Sequence, residues 1–314
     1  MNENNTNRKR RRIMTASLHR RDFLSSTAAI AAATLVLNQS ADTAETTGES
    51  PFKTTLKKGF CLSMLSDNKL SIEDRFRLAK DIGLDGVEAY TTENPKSVEQ
   101  QKNAAEKAGI EIHSVMNTLH WKYPLSSNKP DDVDKSLKGM ETSLRNAKAW
   151  GADTVLLVPA VVDKNTMYKD AYARSQTQIR KLLPLAEELG VVIAIENVWN
   201  KFLLSPLEFT RYVDEFNSPW LQAYFDVGNI VLYGFPQDWI RTLRHRIKKV
   251  HIKGFHTEKK QFTNIRDGSI DWPEVRRTLD EVGYNGYITA ELGGGDEKYL
   301  RDVSERMDLI IAGK

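Results

Sequence analysis

The chain is nearly devoid of cysteine: its 314 residues contain one, Cys61. A single thiol cannot build an intramolecular disulfide framework, and it excludes a Cys-rich zinc or iron–sulfur site. Neither glycine (18) nor proline (10) is in excess, and 40% of the residues are hydrophobic against 28% charged. That balance excludes collagen-like and disordered chains. Net charge is also small, +3 from 45 Lys+Arg against 42 Asp+Glu, and it is unevenly placed. Residues 1–44 hold seven bases (Arg8, Lys9, Arg10, Arg11, Arg12, Arg20, Arg21) against three acids (Glu3, Asp22, Asp42). The rest is close to neutral, which leaves little counterion-release drive toward a nucleic acid. No segment after the first 44 residues is long and apolar enough to span a membrane. No G-x-G-x-x-G follows a strand pattern, so a nicotinamide-dependent dehydrogenase is unsupported.

What is present begins with an address. Residues 8–21 are basic, residues 23–37 (FLSSTAAIAAATLVL) are apolar or small, and residues 38–50 are polar, the order of an export signal. The run Arg20-Arg21-Asp22-Phe23-Leu24 resembles a twin-arginine signal, which implies export of an already folded protein to the periplasm or another extracytoplasmic space. Residues 1–44 are therefore expected to be the signal, residues 45–55 a linker, and residues 56–314 the working domain. A body with one cysteine suits folding, and filling of a metal site, before export. Stable membrane association is not expected after processing.

From residue 56 onward short apolar runs alternate with amphipathic stretches. Strands are expected at 59–64, 86–90, 110–116, 154–159, 191–196, 221–226, 247–253 and 287–292. Helices are expected at 71–82, 97–108, 131–150, 168–189, 206–216, 236–244, 272–282 and 297–311. The strands read as continuous apolar runs, the pattern of parallel strands covered on both faces. Strict alternation predicts an α/β protein with a single (β/α)8 TIM barrel. The competing doubly wound sheet carries a Gly-rich loop after its first strand, whereas this chain has Ser63-Met64-Leu65-Ser66 there.

In such a barrel the working groups sit where strands end. The last four predicted strands run into Glu196, Asp226, His251 and Glu291. Three carboxylates with one imidazole suit one divalent metal ion, Mg²⁺, Mn²⁺ or Co²⁺, with Zn²⁺ as a further option. Any one of these residues is unremarkable at the start of a loop; four on successive strands is a pattern. Alternation places Lys253 on the same face as His251, where an ammonium can hold a substrate oxygen. Glu88, ending the second strand, and His113 with Asn117, ending the third, are expected to line the other side of the mouth. Trp199, with Tyr90, His120 and Trp121, follows strand ends and offers ring faces to a sugar.

At these residues the chain resembles the xylose isomerase-like TIM barrel superfamily, specifically its sugar phosphate isomerase/epimerase group. The resemblance covers roughly residues 56–312 and rests on AKDIGLDGVEAY (79–90), GADTVLLVPA (151–160), VVIAIENVW (191–199), FDVGN (225–229), KVHIKGF (249–255), DGSIDWPEV (267–275) and GYNGYITAEL (283–292). It implies one divalent metal held by Glu196, Asp226, His251 and Glu291. It also gives Glu196 and Glu291 acid/base roles in moving a proton beside a carbonyl, through an enediolate that the metal stabilises. One position departs from the group. Many members carry a His three residues after the strand-6 Asp, and here Asn229 stands there; an amide hydrogen-bonds a hydroxyl but is no base. The expected function is a metal-dependent isomerase or epimerase acting on a small carbohydrate, with self-association open. A lyase or glycoside-cleaving enzyme on a keto-sugar or inosose would use the same metal and carboxylates. A carbohydrate-binding barrel without catalysis is the alternative from another class. A DNA-repair endonuclease of related fold ranks low, because it needs several more histidines and a basic face.

Overall fold

A computed structural model describes residues 51–66 and 69–314; the expected signal, residues 1–44, and residues 45–50 of the expected linker lie outside the described residues. The elements are β1 (Leu56–Cys61), α1 (Ile72–Asp81), β2 (Gly86–Tyr90), α2 (Pro95–Ala108), β3 (Glu111–Met116), α3 (Pro130–Trp150), β4 (Thr154–Leu157) and α4 (Tyr168–Leu189). There follow β5 (Val192–Glu196), α5 (Pro206–Asp214), β6 (Leu221–Asp226), α6 (Pro236–Leu243), β7 (Ile247–Ile252), β8 (Gly254–His256), β9 (Gln261–Thr263), α7 (Trp272–Glu281), β10 (Gly286–Ala290) and α8 (Glu297–Ile311). Eight of the strands close a barrel in the order β1-β10-β7-β6-β5-β4-β3-β2, with every pair parallel. The expected (β/α)8 barrel is what the chain forms. Among the described residues no helix is long and apolar enough to cross a membrane.

Local chemistry explains the element bounds. Ser71, Ser205, Asp271 and Asp296 each accept a backbone N–H in the first turn of the helix that follows, the usual way to satisfy an N-terminal donor. Every residue of β4 and β5 is buried, as continuous apolar strands between helices and lumen must be. The main core lies between strands and helices, with Phe76, Leu144, Ile179, Tyr212, Trp239 and Met307 among its buried members. Inside the barrel a small apolar group of Leu156, Ala194 and Tyr224, packed by Met116, leaves much of the lumen to polar side chains.

Two elements differ from expectation. The first strand occupies Leu56–Cys61 instead of 59–64, because Leu62–Leu65 turns as a 3-10 segment and buries Leu62, Met64 and Leu65. Apolarity there reports burial in a turn, not extension. The hairpin of β8 and β9, paired antiparallel from Gly254↔Thr263 to His256↔Gln261, is an unanticipated insertion between β7 and α7. It closes tightly: a Cβ on Gly254 would lie 2.1 Å from the Asn264 carbonyl oxygen. Gly254→Ala is therefore expected to cost about 1–3 kcal/mol of stability through forced backbone movement, measurable as a lowered Tm.

Candidate metal centre

Four neighbouring strands deliver the charged cluster. Glu196 and Asp226 are the last residues of β5 and β6, and His251 is the Cα partner of Asp226 across the β6–β7 ladder. Glu291 lies one residue beyond β10, its N–H bonded to the Ile252 carbonyl at 3.1 Å. One ligand atom from each of Glu196, Asp226, His251 and Glu291 falls within 4.8 Å of the others. The His251 Nδ1 is 2.9 Å from Glu196 Oε1 and 3.8 Å from Glu291 Oε2. Asp226 Oδ1 accepts the Asn229 N–H at 2.7 Å. Its buried Oδ2 makes no directed hydrogen bond, though the Lys253 Nζ lies 3.2 Å away as an ion pair. Lys253 also donates to Glu291 Oε2.

Three carboxylates around one point repel one another unless a cation joins them. In the protein alone that cation is the Lys253 ammonium with the His251 ring. An oxygen-rich set with one imidazole and an orphaned buried carboxylate oxygen fits a divalent ion of the Mg²⁺, Mn²⁺ or Co²⁺ kind. The sequence-predicted ligand set is thus brought together as a unit.

The carboxylates are not equivalent. Burial, and then the charge of Glu291, pushes the Glu196 carboxyl up to about 7. Burial also raises Asp226, with the Lys253 charge opposing it. Burial would raise Glu291 too, but the charges of Lys253 and His251 prevail and hold it below the usual range. Burial disfavours charge on Lys253, yet Asp226, Glu291 and Glu196 outweigh it and keep the ammonium charged.

The residues expected around the mouth divide. Lys253 stands in the cluster, as alternation along β7 required. Trp199 is 45% exposed; its indole N–H donates to the Asn229 carbonyl at 2.7 Å and its ring packs on Phe262 at 4.8 Å. Asn229 is buried, its backbone N–H on Asp226 and its amide donating to the Asn197 carbonyl at 3.0 Å. Its side chain thus braces the β5 and β6 loops. Asn117 is fully buried; its Oδ1 accepts the Leu119 N–H at 2.8 Å, while its Nδ2 has no partner.

Two expectations are corrected. Glu88 does not line the mouth: it is fully buried inside the barrel, with Oε1 2.9 Å from His251 Nε2 and Oε2 accepting the Tyr224 hydroxyl at 2.8 Å. His113 does not reach the mouth either. The β2–β3 register passes from Val87↔Ile112 to Glu88↔Ser114, so His113 is an extra, bulged residue. Its ring stacks on Tyr287 at 3.9 Å and its Nε2 lies 3.2 Å from Thr289 Oγ1. It lines a cavity of about 660 Å³ with Lys57, Glu111, Asp153 and Lys249, at the strand starts, the end of the barrel away from the acidic cluster. Burial, and then the Lys249 charge, holds His113 well below the usual imidazole range.

His120 has more shape than its sequence position suggested. It is buried; its Nδ1 accepts the Val158 N–H at 3.3 Å, which leaves the ring proton on Nε2. Burial pushes its pKa down to about 4, so it offers a neutral donor. A second group of potential ligands, Cys61 with Glu88 and His251, is a poor metal site. Burial, and then the Glu88 charge, pushes the Cys61 thiol up to about 12, so it remains a protonated donor, 3.6 Å from Glu88 Oε1.

The chain is similar to known proteins. The family described as Xylose isomerase-like TIM barrel matches residues 76–309. The chain is 26% identical over 236 residues to the L-ribulose-5-phosphate 3-epimerase UlaE of Escherichia coli O1:K1 / APEC, covering 70% of this chain and 81% of that protein. The solved structure of 3-keto-D-glucoside 4-epimerase, YcjR, from E. coli superposes with a TM-score of 0.69 at 16% identity, over 82% of this chain and 99% of that one. The D-psicose 3-epimerase of Clostridium cellulolyticum H10, solved with D-tagatose, gives 0.67 at 18% identity, over 81% and 98% of the two chains. At these identities the two structures share the fold.

Proposed function

This chain belongs to the Xylose isomerase-like TIM barrel family, and we propose that it acts as a divalent-metal-dependent isomerase or epimerase on a small carbohydrate. The observation that carries the reading is the convergence of one ligand atom each from Glu196, Asp226, His251 and Glu291 within 4.8 Å, on four neighbouring strands of the barrel. The epimerase relative in sequence agrees with it.

Glu196, Asp226, His251 and Glu291 would hold the ion, which would supply Lewis-acid stabilisation of negative charge on substrate oxygens beside the carbonyl. The chain's own groups do the proton work. Glu196 and Glu291 stand on separate strands, β5 and after β10, so they address a bound sugar carbon from different sides. One removes a carbon-bound proton and the other returns one. Lys253, charged and beside Glu291, donates to a substrate oxygen. Trp199 and Phe262, tilted at 32°, give a half-exposed aromatic floor for a sugar face. A lyase or glycoside-cleaving reaction would begin with the same proton removal. The Asn229 amide, turned toward Asn197, removes one candidate base and favours proton shuttling by two carboxylates. Export by the twin-arginine-like leader, before which folding and metal loading would occur, belongs to the same proposal.

The deciding experiment joins metal analysis to solvent-deuterium exchange over a panel of ketoses, keto-glycosides and inososes. Deuterium in recovered, rearranged sugar is the expected result; an unsaturated or shortened product would assign a lyase, and absence of bound metal would refute the site. Metal affinity should also weaken as the pH falls. Burial, and then the Glu291 charge, pushes the Glu196 carboxyl up to about 7, so below that pH a proton must leave before the ion enters. Each unit below it should weaken binding by up to about tenfold from this group alone, measured by chelator competition.

A further inference from the structure

Histidine can present only one ring nitrogen to a metal, and which one it presents is set by what the other nitrogen bonds. In His251 the two sides differ. Nδ1 faces the ligand carboxylates, 2.9 Å from Glu196 Oε1. Nε2 faces inward, 2.9 Å from Glu88 Oε1. Glu88 accepts from its other neighbours on both oxygens, so it holds a ring proton on Nε2 and leaves Nδ1, on the side of the candidate ligands, as the nitrogen whose lone pair would meet an ion.

Glu88 is itself fixed. Its Oε2 accepts from the Tyr224 hydroxyl at 2.8 Å and from the Ser114 hydroxyl, and its Oε1 also receives the Cys61 thiol. Those donors stand on β6, β3 and β1, while Glu88 is on β2 and His251 on β7. Glu88, Ser114, Tyr224 and His251 are all 0% exposed and Cys61 is 1% exposed, which leaves no solvent to replace a missing partner. The Tyr224 ring adds a wall, its centroid 4.4 Å from that of His251.

We infer that Glu88 is the positioning residue that aims His251 Nδ1 at the metal, held in turn by Tyr224, Ser114 and Cys61; the inference rests on the metal-centre reading above. Glu88 touches no ligand atom on the metal side and is not itself a catalytic residue. Partners of this kind fix ring orientation and raise ligand basicity, and their loss commonly weakens metal affinity by about 10–100-fold.

The test measures Mn²⁺ affinity by chelator competition and the visible spectrum of the Co²⁺-loaded protein. It compares the wild type with Glu88→Gln, Glu88→Asp and Asp226→Asn, each checked for folding by circular dichroism. Glu88→Gln removes the charge, and Glu88→Asp withdraws it from Nε2. The expected result is about 10–100-fold weaker Mn²⁺ binding in both, with a shifted Co²⁺ spectrum; a purely structural role would lower Tm and leave both readouts in place. Folded variants that bind like the wild type with an unchanged spectrum would overturn the inference. Should neither fold, Tyr224→Phe decides: it removes one donor from the Glu88 carboxylate, and a loss of threefold or more supports the inference, whereas unchanged affinity defeats it. Asp226→Asn separates the two levels. If it binds Mn²⁺ like the wild type, or the wild type binds none, the metal-centre reading fails and takes this inference with it. If only Asp226→Asn loses the ion, Glu88 alone has been misassigned.

Discussion

Glu196→Gln and Glu291→Gln are each expected to lower turnover by about 10²–10⁴-fold, the usual loss when a positioned acid or base is removed, while the barrel stays folded. The substitution is nearly isosteric, so what it removes is the ability to exchange a proton. Glu196 is buried against His251, and Glu291 lies at the partly exposed side of the cluster against Lys253. Both also belong to the proposed ligand set, so lost turnover alone would not separate metal binding from proton transfer. Saturating metal does. A variant that only binds the ion poorly recovers as metal is raised, whereas one lacking its acid or base stays slow. Deuterium gives a second discrimination. With two carboxylates serving different faces of one carbon, each single variant should lose wash-in from one epimer more than from the other. Wild-type rates in both variants at saturating metal would remove proton transfer from these two residues.

The fold was legible wherever apolar runs were bounded by turn chemistry. Tyr168–Leu189, Leu221–Asp226 and Glu297–Ile311 have the bounds expected of them, because a helix needs its 3.6-residue apolar face and a covered strand needs continuous apolarity. The candidate ligand cluster was legible for the same reason, since a carboxylate or imidazole after an apolar strand marks the barrel mouth. Side-chain direction was less so. His113 was placed at the mouth because it lies near the end of an expected strand, but a bulge makes it an extra residue there, and nothing in the apolar pattern of 110–116 announces it. Glu88 was expected at the mouth because it ends an apolar run, and its burial inside the barrel was not readable from that position. Cys61 and Ser114, flanking it at the same height, make it an internal anchor, not a surface group. The hairpin at Gly254–Thr263 escaped notice because its strands span three residues each and carry little apolar pattern.

Lys253→Met should separate two effects that ordinarily move together, tightening the metal and slowing the reaction. Methionine retains an apolar stem, which preserves packing near the Phe262 ring, 5.1 Å from the ammonium, and removes the charge. In the metal-free protein that charge lies 3.2 Å from Asp226 Oδ2 and bonds Glu291, two of the four side chains the ion would use. A fixed cation there competes with a mobile one. Its removal should strengthen divalent-metal binding by roughly tenfold or more, since charges this close in a partly buried site interact by about 4 kcal/mol at an effective dielectric of about 20. The gain is limited because Glu291, relieved of the ammonium that holds its pKa down, takes up a proton more readily. Turnover should move the other way. A charged donor aimed at developing negative charge contributes about 10²–10³-fold, and methionine supplies no proton. Tighter metal with about a hundredfold lower kcat is thus the signature of a lysine that neutralises the empty cluster and then donates to substrate. Weaker metal with unchanged kcat would instead make Lys253 a structural tie between β7 and the Glu291 loop, and would move the oxyanion donor elsewhere, with the neutral Nε2–H of His120 next in line.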